Sequence, residues 1–103
     1  MTNTLQKIKN LEEYCLTHEK DGVIENTISK LVDIKINQLE REIIELKKDL
    51  KKFEDKYNLS SEQFFEQFQK GKMEDNLDFT DWIALYKMLH NRINDKSLLL
   101  GKK

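Results

Sequence analysis

The pattern of apolar and polar positions divides this chain into four stretches with helical spacing, separated by short polar breaks. The strongest lies in the middle. There Val32, Ile36, Leu39, Ile43, Leu46, Leu50, Phe53 and Tyr57 recur at strictly alternating steps of four and three. Placing Ile36, Ile43, Leu50 and Tyr57 at position a, and Val32, Leu39, Leu46 and Phe53 at d, makes three heptads without a polar interruption, the pattern of a coiled-coil seam. Neither glycine nor proline falls between Val23 and Tyr57, so the spacing predicts one helix over 23–57. At 1.5 Å per residue it would be roughly 50 Å long, more than the width of a compact chain of this size. Such a helix needs cover. The seam predicts that a second copy supplies it, making a homodimer whose strand orientation the pattern leaves open. Ile24, Ile28, Leu31 and Ile34 widen the apolar surface at the start of this helix and predict that the N-terminal helix folds back onto it.

That N-terminal helix is read from Leu5, Ile8, Leu11 and Cys15, with Tyr14 alongside, and ends near His18. Glu19 to Gly22 form a polar turn in which Asp21 is placed to cap the long helix. Beyond Tyr57, Ser60 and Gln63 form a capping-box pair, Leu59 and Phe64 stand at the two staple positions, and Gly71 provides a stop, predicting a helix over 61–70. The same grammar returns with Asp78 as cap and Leu77 and Trp82 as staple, predicting a helix over 79–96. Phe79, Trp82, Ile83, Tyr86, Leu89, His90 and Ile93 share one face of it. Leu98 to Leu100 either extend this helix or dock separately. The fold class is therefore all-α. A single domain over 1–103 comprises the N-terminal helix and turn (1–22), the long helix (23–57), an aromatic-rich pair (58–97) and a tail (98–103).

Composition agrees. The chain is 36% charged and 38% hydrophobic with no proline and three glycines, so little in it would break a helix. Formal charge is −1 and evenly spread: residues 1–56 hold 11 bases and 12 acids, residues 57–103 hold 7 of each. No part is a polycation, which argues against affinity built on neutralising many phosphates. Lys47, Lys48, Lys51, Lys52 and Lys56 do cluster, at positions e, f, b, c and g, but Asp49, Glu54 and Asp55 are interspersed. A solvated outer face is the favoured reading, with a DNA-binding regulator as the alternative. The one cysteine, Cys15, has no intrachain disulfide partner. Residues 1–18 lack the features of a signal peptide, and the run Leu98–Leu100 is too short to span a bilayer, so a cytoplasmic protein away from membranes is expected.

Candidate chemistry is sparse. Cys15 and His18 lie one helical turn apart, but a zinc site needs about four ligands and His90 is the only other histidine. Glu74, Asp75, Asp78 and Asp81 lack calcium-loop spacing, and two of them fall where a cap and a first-turn charge are expected. Neither Arg41 nor Arg92 is followed closely by a histidine, as in small helical ribonucleases, and no phosphate loop or nucleophile setting is present. No enzyme, metal or cofactor is expected. Eight of the nine aromatic residues fall between Phe53 and Tyr86, a density expected first of a core and second of a partner surface.

The stretch Lys56-Tyr57-Asn58-Leu59-Ser60-Ser61-Glu62-Gln63-Phe64, followed by Phe68, Gly71, Asp78-Phe79, Trp82, Leu85 and Tyr86, resembles a group of small archaeal and bacterial helical proteins. In that group a Lys-Tyr-Gly stretch leads through a Phe-x-x-Gly turn to an Asp-Phe-x-x-Trp-x-x-Leu helix. Here Asn58 stands where glycine is common, a residue that also tolerates the left-handed conformation. Many members resemble antitoxins encoded beside a small toxin. The resemblance implies a non-enzymatic module that binds and neutralises a small protein, and Glu74, Asp75, Phe79 and Trp82 are its expected partner surface. A structural coiled-coil adaptor is a further alternative.

Overall fold

A computed structural model describes residues 3–102 of the protein. The described residues form helices α1 (Thr4–Thr17), α2 (Gly22–Tyr57), α3 (Ser61–Gln69) and α4 (Leu77–Leu99), and no strand. The chain divides into two compact units, Met1–Asp33 and Ile34–Lys103, with the boundary inside α2.

Local chemistry accounts for the helix ends. Asn3 caps α1 by accepting from the Gln6 N–H at 2.8 Å, and Asp21 caps α2 by accepting from Val23 and Ile24 at 2.9 and 3.2 Å. Ser60 and Gln63 form the full capping box of α3. The C-termini of α2, α3 and α4 close with the N–H two residues past the cap bonding back to a carbonyl five residues earlier: Leu59 to Glu54, Lys72 to Gln67 and Lys102 to Ser97. Each closure needs a left-handed residue, supplied by Asn58 (φ 52°), Gly71 (φ 70°) and Gly101 (φ 77°). Leu98 and Leu99 extend α4 rather than docking apart from it.

The cap of α4 is a correction. Asn76, not Asp78, holds the capping position, accepting from the Asp78 N–H at 2.8 Å, and the helix therefore starts at Leu77. The expected staple does not form, because Leu77 is 85% exposed while Trp82 is fully buried.

In the second unit, α4 runs antiparallel to residues 34–57 of α2. The contacts proceed in opposite senses along the two helices: Lys56 to Asp78 (2.6 Å), Glu42 to Arg92 (3.0 Å) and Glu40 to Lys96 (3.3 Å). Ile43, Leu46, Leu50, Phe64, Phe79, Trp82 and Leu89 form the core, with Phe53, Tyr57, Ile83, Tyr86 and Ile93 packed against it. Most of the heptad positions lie at this core. Leu39, Ile43, Leu46 and Leu50 are buried within one chain, and Ile36, Phe53 and Tyr57 are half-buried. Ile43, Leu46, Leu50, Phe53 and Tyr57 of that set pack with Phe64, Phe79, Trp82, Leu89 and Ile93 of α3 and α4, because α4 brings its own apolar stripe to meet them.

None of the described residues of the first unit is buried. Leu11, Ile24 and Val32 are half-buried, but Leu5, Ile8, Val23, Ile28 and Leu31 are exposed. The expected fold-back does not enclose them, since a segment this small has too few apolar side chains to surround a core.

Three helices of the second unit meet at one buried hydrogen-bond chain. The Trp82 indole N–H donates to Ser61 Oγ at 2.9 Å, and that hydroxyl donates to Glu54 Oε2 at 2.7 Å. The same carboxylate oxygen accepts from the Ser61 backbone N–H at 2.9 Å. Ser61→Ala should therefore lower stability by about 1–3 kcal/mol while leaving helix content intact, because it strands the indole donor. Chemical denaturation of the two proteins measures the difference. Leu46→Asp should unfold Ile34–Lys103 instead of releasing intact folded subunits, as read by circular dichroism together with light scattering.

Candidate interaction surfaces

The expected partner surface separates into two parts with different environments. Trp82 is fully buried, its ring stacked on Phe64 with centroids 3.9 Å apart and planes 1° from parallel. Phe53 and Tyr57 stack on it at 5.7 and 5.8 Å. Phe79 is buried too and meets Tyr57 edge-on at 5.1 Å. Trp82 and Phe79 therefore belong to the core, a correction to their assignment as surface anchors. Glu74 and Asp75 are exposed on the connection between α3 and α4, and neither makes an ion pair among the described residues.

Asp78 works between helices. Its Oδ2 accepts from both Lys56 Nζ and Tyr57 Oη, each at 2.6 Å. The Lys56 hydrogen bond, then that of Tyr57, holds the carboxyl below the usual carboxylate range. The same bond raises the Lys56 ammonium, and Asp78 raises the Tyr57 phenol. These contacts reach 21 and 22 residues along the chain, so they clamp the end of α2 to the first turn of α4.

Four lysines of the cluster near residue 50 have carboxylate partners: Lys48 with Glu45, Lys51 with Asp55, Lys52 with Asp49 and Lys56 with Asp78. Only Lys47 of the five has no ion pair among the described residues. The field offered to a polyphosphate is correspondingly diluted.

Cys15 is exposed on α1. His18 closes that helix: its Nδ1–H donates to the Tyr14 carbonyl at 2.8 Å, and its ring stacks on Tyr14 at 3.9 Å. No group of three or more His, Cys, Asp or Glu side chains that could hold a metal ion occurs among the described residues. No helix among them is long and apolar enough to cross a membrane.

Two of the surfaces that combine exposure with apolar character bear on binding. One is the exposed set Leu5, Ile8, Val23, Ile28 and Leu31 of the first unit, whose spacing is visible in the sequence. The other is a groove in the second unit lined by Ile44, Tyr86, Leu50 and Leu89 among others. Ile44 lies outside the a and d positions, and the only sequence signal for it is the Ile43-Ile44 doublet. Comparison with protein-family models, curated proteins and solved structures finds no match to this chain.

Replacing Asn76 by alanine should cost about 1 kcal/mol through loss of the cap. Asp78→Asn should destabilise the protein at neutral pH through loss of the clamp. Because the folded carboxyl titrates below its ordinary value, that contribution is present above the usual carboxylate range and disappears as pH falls through the folded value. Denaturation midpoints of the native and Asp78→Asn proteins should accordingly converge in acid. A difference that persists there would show that Asp78 does not act through its charge.

Proposed function

We propose that this chain is a non-catalytic module that works by binding another protein. The observation that carries this reading is the exposed apolar set of the first unit. Leu5 is 62% and Val23 77% exposed, with Ile8, Ile28 and Leu31 between 40% and 64%, on a segment none of whose described residues is buried. Scattered apolar residues are ordinary on a protein surface, but here they fall at helical spacing on two successive helices, α1 and the start of α2. Covering them would supply the burial that the segment lacks by itself.

The resemblance of roughly residues 40–90 to antitoxin-like proteins points this reading toward a small toxin as the partner. The exposed Glu74 and Asp75 suit the basic groove of a protein that binds RNA. Trp82 and Phe79 have no part in that contact, since both are spent in the core.

The test pairs Leu5→Glu/Ile8→Glu with the native chain in co-expression with the product of the neighbouring gene. Native protein should form a complex and the variant should lose at least tenfold in affinity, about 1.4 kcal/mol or more. The thermal transition of the second unit, followed by Trp82 fluorescence, should be the same in both. Equal complex formation by both proteins, or no complex with either, removes the proposal. Sedimentation of each protein alone shows whether the same face also pairs two copies.

A further inference from the structure

We propose that the groove between α2 and α4, beside the start of α3, is a docking site for an amphipathic helix of a partner protein that carries carboxylates along one flank. This site lies wholly in the second unit and shares no residue with the face discussed above.

Helix α3 is short, Ser61–Gln69, and lies over the end of the α2–α4 pair, where Phe64 stacks on Trp82 and Phe65 meets Tyr86 at 4.9 Å. Next to Ser61 the seam between α2 and α4 opens into a groove of about 620 Å³. Ile44 and Tyr86 form its apolar walls above the buried Leu50 and Leu89. Ile44 is 54% exposed although its neighbour Ile43 is in the core, so a large aliphatic side chain faces the open groove.

Charge is placed on one side. Lys47, Lys48 and Lys51 line the α2 wall together with Glu54, whose Oε2 is held by Ser61, whereas α4 contributes Tyr86 and Leu89 to the lining and no charged group. The pairs of Lys48 with Glu45 (3.4 Å) and Lys51 with Asp55 (3.0 Å) join side chains about two-thirds exposed, and ion pairs of that kind are weak enough to exchange for others. Lys47 is free of any ion pair among the described residues. Glu62, at the α3 end, completes the polar rim.

The kind of occupant follows from these two properties. An apolar trough beside a helix–helix seam accepts a helix through anchors at i, i+3, i+4 and i+7. A wall of ammonium groups on one side then favours carboxylates on the matching flank and fixes the direction in which the helix lies. A polyphosphate is a poorer fit. Its affinity needs many uncompensated cations, and Glu45, Asp55 and Glu62 stand among these lysines, whereas a docked helix draws affinity from the apolar floor.

Two synthetic helical peptides test this with the full chain: one with leucines at i, i+4, i+7 and i+11 and glutamates along one flank, and one with lysine at each glutamate position. Fluorescence anisotropy should show the acidic peptide binding about tenfold more tightly than the basic one. Amide shifts should concentrate at Ile44, Tyr86 and Leu89. Lys47→Glu/Lys51→Glu should reverse the preference, and Ile44→Glu should abolish binding, both without a change in melting temperature because the replaced side chains are exposed. No binding of the acidic peptide below about 1 mM, equal affinities, or binding retained by Ile44→Glu would each overturn the assignment. So would a native dimer that Ile44→Glu dissolves, which would make a second copy the occupant, or displacement of the acidic peptide by single-stranded RNA at this groove.

Discussion

A buried indole N–H must find an acceptor, and in the second unit that requirement falls on Ser61. Water is excluded around Trp82, so its donor would otherwise be stranded in the interior, where an unpaired polar group costs far more than at the surface. Ser61 Oγ accepts it and passes a hydrogen bond to Glu54, which draws α2, α3 and α4 to one point. The position of α3 follows. Its first residue must lie against Glu54, so only Asn58, Leu59 and Ser60 remain to reverse the chain. A left-handed Asn58 makes that reversal, and Ser60 caps the helix that follows.

Features governed by neighbours in the sequence were legible there. The capping box at Ser60 and Gln63, the cap at Asp21, the stop at Gly71 and the left-handed Asn58 all depend on a few consecutive residues. Asp78 was misread because its role depends on Lys56 and Tyr57, residues far away in the chain, while Asn76 two positions earlier has the same capacity to cap. Leu77 and Trp82 imitated a staple by their spacing alone. Periodicity records that a face is apolar and says nothing of how the indole will be turned by Phe64 and Ser61.

The heptad seam shows the same limit at larger scale. Alternating steps of three and four specify that a helix lies along Ile36 to Tyr57, but they are indifferent to whether that helix belongs to the same chain. Here α4 meets the seam with Trp82, Leu89 and Ile93. Of the aromatic residues between Phe53 and Tyr86, Phe64, Phe79 and Trp82 are buried in the core and Phe53, Tyr57 and Tyr86 pack against it, while Phe68 is exposed. The two apolar surfaces differ in how they could be found. Leu5, Ile8, Ile28 and Leu31 stand out by pattern, whereas the groove at Ile44 is lined by residues of α2, α3 and α4 that only the fold brings together.

The stacking of Trp82 on Phe64 also makes the chain a selective optical reporter. Trp82 is its single tryptophan, fully buried in an aromatic cluster, so ultraviolet emission excited at the indole comes from inside Ile34–Lys103. A shift of that emission to the red dates the entry of water into one unit. The ellipticity of the peptide backbone, by contrast, sums over all four helices. Heating curves recorded by the two methods need not coincide, and any gap between them measures how independently α1 and the start of α2 lose their helical order.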